Sequence, residues 1–333
     1  MVFGTDRKIE PAALIRRSVI TVVAVILLVL VAVGWYWSRT PDIFFVTREL
    51  DGERAVTGYA TTDTLIRIAE TLLDKPGGYL TNDIAPPSVF LDNMPNWEFG
   101  VLTQARDIAR VMRNDYSRSQ SQSTEDAELA EAEPKFFFDN DSWILPASES
   151  QYREAIDGFK TYRARLAGGS ETPAQFFARA DNLREWLSQV EKRLGSLSQR
   201  LSASVGQTRV NTDLQGDPAA EAEGSVDGNV EVKTPWLELD DVFYESRGTA
   251  WALIHFLRAA EFDFAEVLRK KNATVSVRQI IRELEASLQP MRSPIVLNGG
   301  GFGIFANHSL VMASYLSRAN AAVIDLRDLL DQG

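Results

Sequence analysis

Three groups of residues in this sequence have types and spacing that could do chemistry. The first is Asn298-Gly299-Gly300-Gly301-Phe302-Gly303, followed by Asn307-His308-Ser309 and an apolar-periodic run. Glycines ahead of a helix N-terminus can turn backbone N–H groups toward an anion. No Gly-Lys-Ser/Thr follows and no strand leads in, so this is not a nucleotide loop. It suits a phosphate or carboxylate of a lipid or glycan, with Asn298, Gly299, Gly300, Gly301, Gly303 and His308 as contacts. The plain alternative is a flexible connector. The second group is Asp240, Asp241 and Glu245. One helical turn puts Asp241 and Glu245 on the same face, but the alternating oxygen ligands and glycine turn of an EF-hand are missing. A solvated face, or pairing with Arg247, is the simpler expectation, and Glu245 is left as the single candidate catalytic acid. The third group is the two histidines. His255 sits among Leu, Ile and Phe, where a buried histidine with one hydrogen bond is the plain expectation. His308 adjoins the glycine loop.

Composition narrows the rest. The 333 residues contain no cysteine, which removes disulfides, zinc–cysteine sites, iron–sulfur clusters and thiol nucleophiles. Two histidines are too few for a multi-histidine metal site, and no metal or cofactor is expected. A net charge of −11 argues against nucleic acid, whose binders carry a basic face. No serine sits in a nucleophile elbow.

The elements that must carry these residues begin with an apolar run. From Ser18 to Trp37 (residues 18–37) there is no charge. At 1.5 Å per residue this spans ~30 Å, the thickness of a bilayer core. Trp35, Tyr36 and Trp37 form an aromatic belt at one end, and Arg7, Lys8, Arg16 and Arg17 precede the other. Only Arg39 and Arg48 follow closely. The positive-inside rule therefore keeps residues 1–17 in the cytoplasm and exports residues 38–333, into the periplasm in a bacterium. A cleaved signal peptide is the rival, with Ala32-Val33-Gly34 as the site, but the apolar run exceeds the usual length.

The exported part reads as helical, so the expected fold class is all-α: a transmembrane helix followed by a multi-helix bundle. Leu65, Ile68, Ala69, Leu72 and Leu73 mark one helix, stopped by Lys75-Pro76-Gly77-Gly78. Val101, Leu102, Ala105, Ile108, Ala109, Met112 and Tyr116 mark a second. Ser148-Glu149-Ser150-Gln151, Thr172-Pro173-Ala174-Gln175 and Ser276-Val277-Arg278-Gln279 read as capping boxes. The helix opening at Pro173 is the strongest periodic segment: Ala180, Leu183, Leu187, Val190, Leu194, Leu197 and Leu201 follow 3-4-3-4 spacing as a heptad seam. From Pro173 to Val205 it would be ~50 Å long. The seam is expected to pack on a helix of the same chain, with self-association or an envelope protein partner as the alternative. Residues 117–134 and 206–233 read as loops or linkers by composition. Thr234-Pro235 precedes a helix that becomes apolar all round from Thr249 to Ala260, as a central helix does. A last helix is expected from about Ile304 to Leu330.

Several segments look familiar together: Val242-Phe243-Tyr244-Glu245-Ser246-Arg247-Gly248 with Trp251-Ala252-Leu253, Gly301-Phe302-Gly303 with Asn307-His308-Ser309-Leu310, and Arg318-Ala319-Asn320. With the N-terminal apolar run they resemble a family of proteobacterial inner-membrane proteins catalogued as a domain of unknown function. The resemblance covers nearly the whole chain. It implies a single-pass envelope protein and assigns no activity. Glu245-Ser246 is also similar to the Glu-Ser pair of lytic transglycosylases, over those two residues alone. The expectation is thus a membrane-anchored envelope interaction or scaffold protein without catalysis. A glycan-modifying enzyme using Glu245 and an anion sensor at the glycine loop stand as alternatives.

Overall fold

The structure is a computed structural model that describes residues 11–46, 49–50, 53–54, 56–119, 123–168, 172–210, 229–293, 295–300 and 303–332. Helix α1 (Pro11–Trp37) opens with proline at its first position, where the missing N–H is no loss. It is long and apolar enough to cross a membrane. Most of its side chains face outward. The exceptions are Leu30, Val33, Gly34 and Trp37, a helical stripe near its end that is at least half-buried against the bundle.

The bundle consists of α2 (Tyr59–Asp74), α3 (Asn93–Val111, continued by a π turn, Met112–Tyr116), α4 (Ala127–Phe136), α5 (Ser148–Leu166), α6 (Ala180–Ser202), α7 (Leu239–Asp263), α8 (Ala265–Lys270), α9 (Thr274–Ser287) and α10 (His308–Asp331). Two antiparallel hairpins complete it: β1 (Glu49–Leu50) with β2 (Glu53–Arg54), and β3 (Gln207–Val210) with β4 (Asn229–Val232). The class is all-α, as the periodicity implies.

Helix α7 is the centre, with α2, α3, α6, α9 and α10 packed around it. Ala250, Trp251, Ala252, Leu253, Ile254, Phe256 and Leu257 are all buried, which a helix apolar on every side requires. The chain leaving α1 runs along α7. Trp251 Nε1 donates to the Asp42 carbonyl (3.3 Å) and the Phe44 N–H donates to His255 Nε2 (3.0 Å). Farther along, Gly58 N–H (2.8 Å) and Thr61 N–H (2.7 Å) donate to the Asp263 carboxylate. Asp263 thereby caps the N-terminus of α2 from another helix, where a negative group meets the positive end of the dipole.

The seam closes within the chain. Leu183, Leu187, Val190, Leu194, Leu197 and Leu201 are buried, and α10 lies antiparallel on them. Ser198 Oγ donates to the Ala313 carbonyl (3.2 Å), while Arg184 and Glu191 pair with Asp331 and Arg327 near the other end. This apolar surface is spent inside the bundle, so a second copy or an envelope partner would have to use another face.

Several sequence expectations need correction. The Thr172–Gln175 box opens no helix. Residues 173–179 are not helical: Phe176 packs against Tyr116 and Phe264 and the Phe177 N–H donates to the Tyr116 carbonyl (2.6 Å), so tertiary contacts outweigh the local signal. Helix α6 therefore has 23 residues, ~34 Å. Helix α4 occupies part of the 117–134 stretch, capped by Asp126 accepting from the Leu129 N–H (3.4 Å). The ends of the 206–233 stretch pair as β3 and β4, and 211–228 lie outside the described residues. At α5, Ser148 does not cap; its hydroxyl donates to the Asp139 and Ser142 carbonyls. The last helix begins at His308, not Ile304, because the Asn307 side chain accepts from the Leu310 N–H (2.8 Å) and sets the boundary.

Candidate functional site

The two faces of α7 around residue 248 differ in kind. On one, α3 approaches so closely that a Cβ on Gly248 would overlap the Trp97 carbonyl oxygen, and one on Gly100 would overlap the Glu245 carbonyl oxygen. The Trp97 and Trp251 rings pack 5.3 Å apart beside this crossing. On the other face a cavity of about 250 Å³ opens between α7, the end of α9 and the start of α10. Phe243, Met291, Val311, Met312 and Tyr315 give it apolar walls, and Arg247, Arg292 and His308 give it cationic and donor groups.

Arg247 is the central polar group. Its Nη1 donates to the Gln289 carbonyl (3.2 Å) and its Nη2 to the Leu288 carbonyl (3.1 Å), with a longer contact to Ser287 (3.5 Å). It thus crosses from α7 to the carbonyl end of α9, where a cation is favoured. A guanidinium has five N–H donors, and these bonds leave at least two without a partner among the described residues. Burial pushes the Arg247 pKa down, since no carboxylate stands beside it to hold the charge. Several other arginines of the bundle pair with acids, as Arg193 does with Asp107, Arg200 with Glu245 and Arg258 with Glu285, whereas Arg106, like Arg247, donates to main-chain carbonyls, those of Phe136 (2.6 Å) and Phe138 (2.8 Å). His308 Nδ1 accepts from the Leu297 N–H (3.0 Å), so the neutral ring carries its proton on Nε2 as a further donor. Burial lowers its pKa also.

The glycine loop holds this site without itself presenting the open donors. Asn298 bridges to Asn307, the Gly299 N–H donates to the Ala306 carbonyl (3.0 Å), and Asn307 Nδ2 donates to the Gly299 carbonyl (2.6 Å). Ser309 Oγ donates to Asn298 Oδ1 (2.5 Å). The α10 N-terminus is capped by Asn307, and the His308 N–H is taken by the Leu297 carbonyl (2.7 Å). Gly300 stands in open space, Gly303 meets only the backbone of Gly300, and Gly301 lies outside the described residues. Of the described residues expected to contact an anion, His308 lines the cavity.

The carboxylates expected near Arg247 are elsewhere. Glu245 is two residues away and so on another face of α7; its carboxylate is paired with Arg200 Nη1 at 2.7 Å. Asp241 accepts from Asn96 Nδ2 (2.7 Å), and burial with Asp240 and Asp92 nearby pushes it up to about 6. His255 is wholly enclosed. Its Nδ1–H donates to the Trp251 carbonyl (2.7 Å), its Nε2 accepts from Phe44, and its ring stacks on Phe44 at 3.9 Å. Burial pushes it down to about 3. Among the described residues, no three His, Asp or Glu side chains converge as a metal site would need.

The model of a bacterial protein family, described as uncharacterized and conserved in bacteria (DUF2333), matches residues 11–333. The chain belongs to this family. No match was found among curated proteins or among solved structures. The family assigns no activity, so the site rests on its geometry. By sequence alone Arg247 reads as a surface partner for acids. The available signal was its position, one residue before a glycine on a helix turning apolar. Also unforeseen was the Lys75–Glu98 pair, both side chains fully buried. Glu98 accepts from the N–H groups of Leu80 (2.9 Å) and Thr81 (2.9 Å), so the pair ties the turn after α2 to α3.

Proposed function

We propose that this family member is a membrane-anchored binding module. In this reading α1 spans the inner membrane with its N-terminus in the cytoplasm, and the helical bundle stands in the periplasm. The Arg16-Arg17 pair before the span and the aromatic belt after it support the orientation. Retention of the anchor is supported by its use in packing: Gly34 lies against Pro87 and Leu91, and Trp37 against Gly77. The bundle then acts by binding rather than by catalysis.

The ligand class follows from the cavity. One observation carries it: Arg247 is half-buried in the wall and, among the described residues, has no acidic partner and keeps free donors, in a chain of net charge −11. Apolar walls around a cationic end select an acidic group, carboxylate or phosphate, on a short apolar body. A free acid and an acidic group on an envelope protein or lipid share this chemistry. The test is calorimetric titration of the detergent-solubilised full chain with octanoate and with octyl phosphate, against octanol. Saturable binding of the anions that Arg247→Gln abolishes supports the reading. Equal binding of octanol, or binding unchanged in Arg247→Gln, would overturn the anion site.

A further inference from the structure

The stretch 84–91, Ile-Ala-Pro-Pro-Ser-Val-Phe-Leu, carries no charge and lies on the surface between α2 and α3. Ile84 is 65%, Val89 54% and Phe90 76% exposed. The fold holds this apolar tip out. Asn82 Nδ2 donates to the Ser142 carbonyl (2.8 Å) on its way in, Ser88 Oγ donates to the Ala85 carbonyl (2.5 Å) within it, and Glu98 fixes the preceding Leu80 and Thr81 amides.

Its neighbour says what covers it. A Cβ on Gly34 would stand 3.5 Å from Pro87 Cβ and 3.6 Å from Leu91 Cδ2. Gly34 is three residues inside the end of α1, ~4.5 Å along the axis, and half-buried Leu30 is ~10 Å inside. Whatever touches Gly34 therefore stands level with the Trp35–Trp37 belt or deeper. Arg39 lies over the Trp35 ring at 4.1 Å, a cation drawn to the same level. Asp83 and Asp92 flank the uncharged stretch and limit how far it can sink.

We propose that the loop 84–90 is a second membrane contact. It lays Ile84, Val89 and Phe90 into the headgroup–acyl boundary beside α1 and so fixes the orientation of the bundle on the bilayer. The proposal rests on the reading of α1 as a membrane span.

The chain has no cysteine, so single-cysteine variants carry one probe each. The full chain is reconstituted into phosphatidylcholine/phosphatidylglycerol vesicles with an environment-sensitive dye at Phe90→Cys, at Val89→Cys, at Val25→Cys in α1 or at Lys270→Cys on α8. The last lies beyond the end of α7, which is ~33 Å along the axis from Asp241. Lipids spin-labelled near the headgroup should quench the dye severalfold more at 89 and 90 than at 270, and deep labels should quench it at 25. Quenching at 25 with none above the 270 level at 89 and 90 would overturn the loop contact and leave the span intact. No quenching at 25 would remove the span and this proposal with it. Disulfide-linked dimers of unlabelled Phe90→Cys, without lipid quenching, would assign the loop to a second copy instead.

Discussion

Arg247 and Gly248 are neighbours in the chain and face opposite surroundings. At Gly248, α7 meets α3 with no room for a methyl group. At Arg247, α7 meets α9 and α10 across a cavity, bridged by one guanidinium. The contrast separates two uses of one helix. The closed face carries the architecture, with backbones in contact and the Trp97 and Trp251 rings packed at a tilt beside them. The open face keeps a charge that has no counter-charge among the described residues and turns it toward a cavity.

Substitutions can break this contrast or sharpen it. The largest effect is expected from Trp97→Ala, which empties the closed face and should cost ~3–5 kcal/mol in urea unfolding, since Trp97 is 1% exposed. Gly248→Ala comes next. Alanine would favour the helix by ~1 kcal/mol, but its methyl would force α3 away. Overpacking costs ~1–3 kcal/mol, and backbone against backbone belongs at the upper end. A net loss of about 2 kcal/mol is expected, and a Gly248→Ala chain as stable as the parent would show that the faces are not distinct.

The third prediction concerns pH. An unfolded histidine titrates near 6.5, whereas His255 is pushed down to about 3 by burial, with Arg258 and Arg67 adding to the effect. Between those values the unfolded chain binds the extra proton. Stability is therefore full above about pH 6.5 and falls as pH drops toward 3, with a slope of up to ~1.4 kcal/mol per pH unit from this residue. His255→Gln should have a shallower acid slope; identical slopes would mean the ring is not held neutral. The smallest effect on stability belongs to the open face. Arg247→Gln should cost ~1 kcal/mol, the worth of a helix C-terminal cap, while losing anion binding. A loss as large as that of Trp97→Ala would make Arg247 part of the frame instead.

Much of the fold was legible along the chain. Helix α1, the α6 seam and the all-round apolar α7 were each readable, because period and length are local properties. The start of α6 was not. Thr172-Pro173 looks like a cap, yet Phe176 and Phe177 are drawn to Tyr116 on another helix, and that burial outweighs a cap worth ~1 kcal/mol. The candidate site was legible only in part. His308 stood out beside the glycines. Arg247 looked like a surface cation because Asp240, Asp241 and Glu245 were its visible neighbours; helical rotation carries it away from Asp241 and Glu245, and Asp240, on the same side, stands two turns or ~10 Å back along the axis.

The sequence by itself determined that the chain is helical, that one helix can span a bilayer, and that thiol chemistry is absent. Periodicity and composition suffice for those. Only the tertiary structure decided which apolar seam is filled from within, which cation turns toward a cavity, and which uncharged loop lies beside α1. Each of these depends on segments far apart in the chain being brought together, and burial and charge pairing exist only once that has happened.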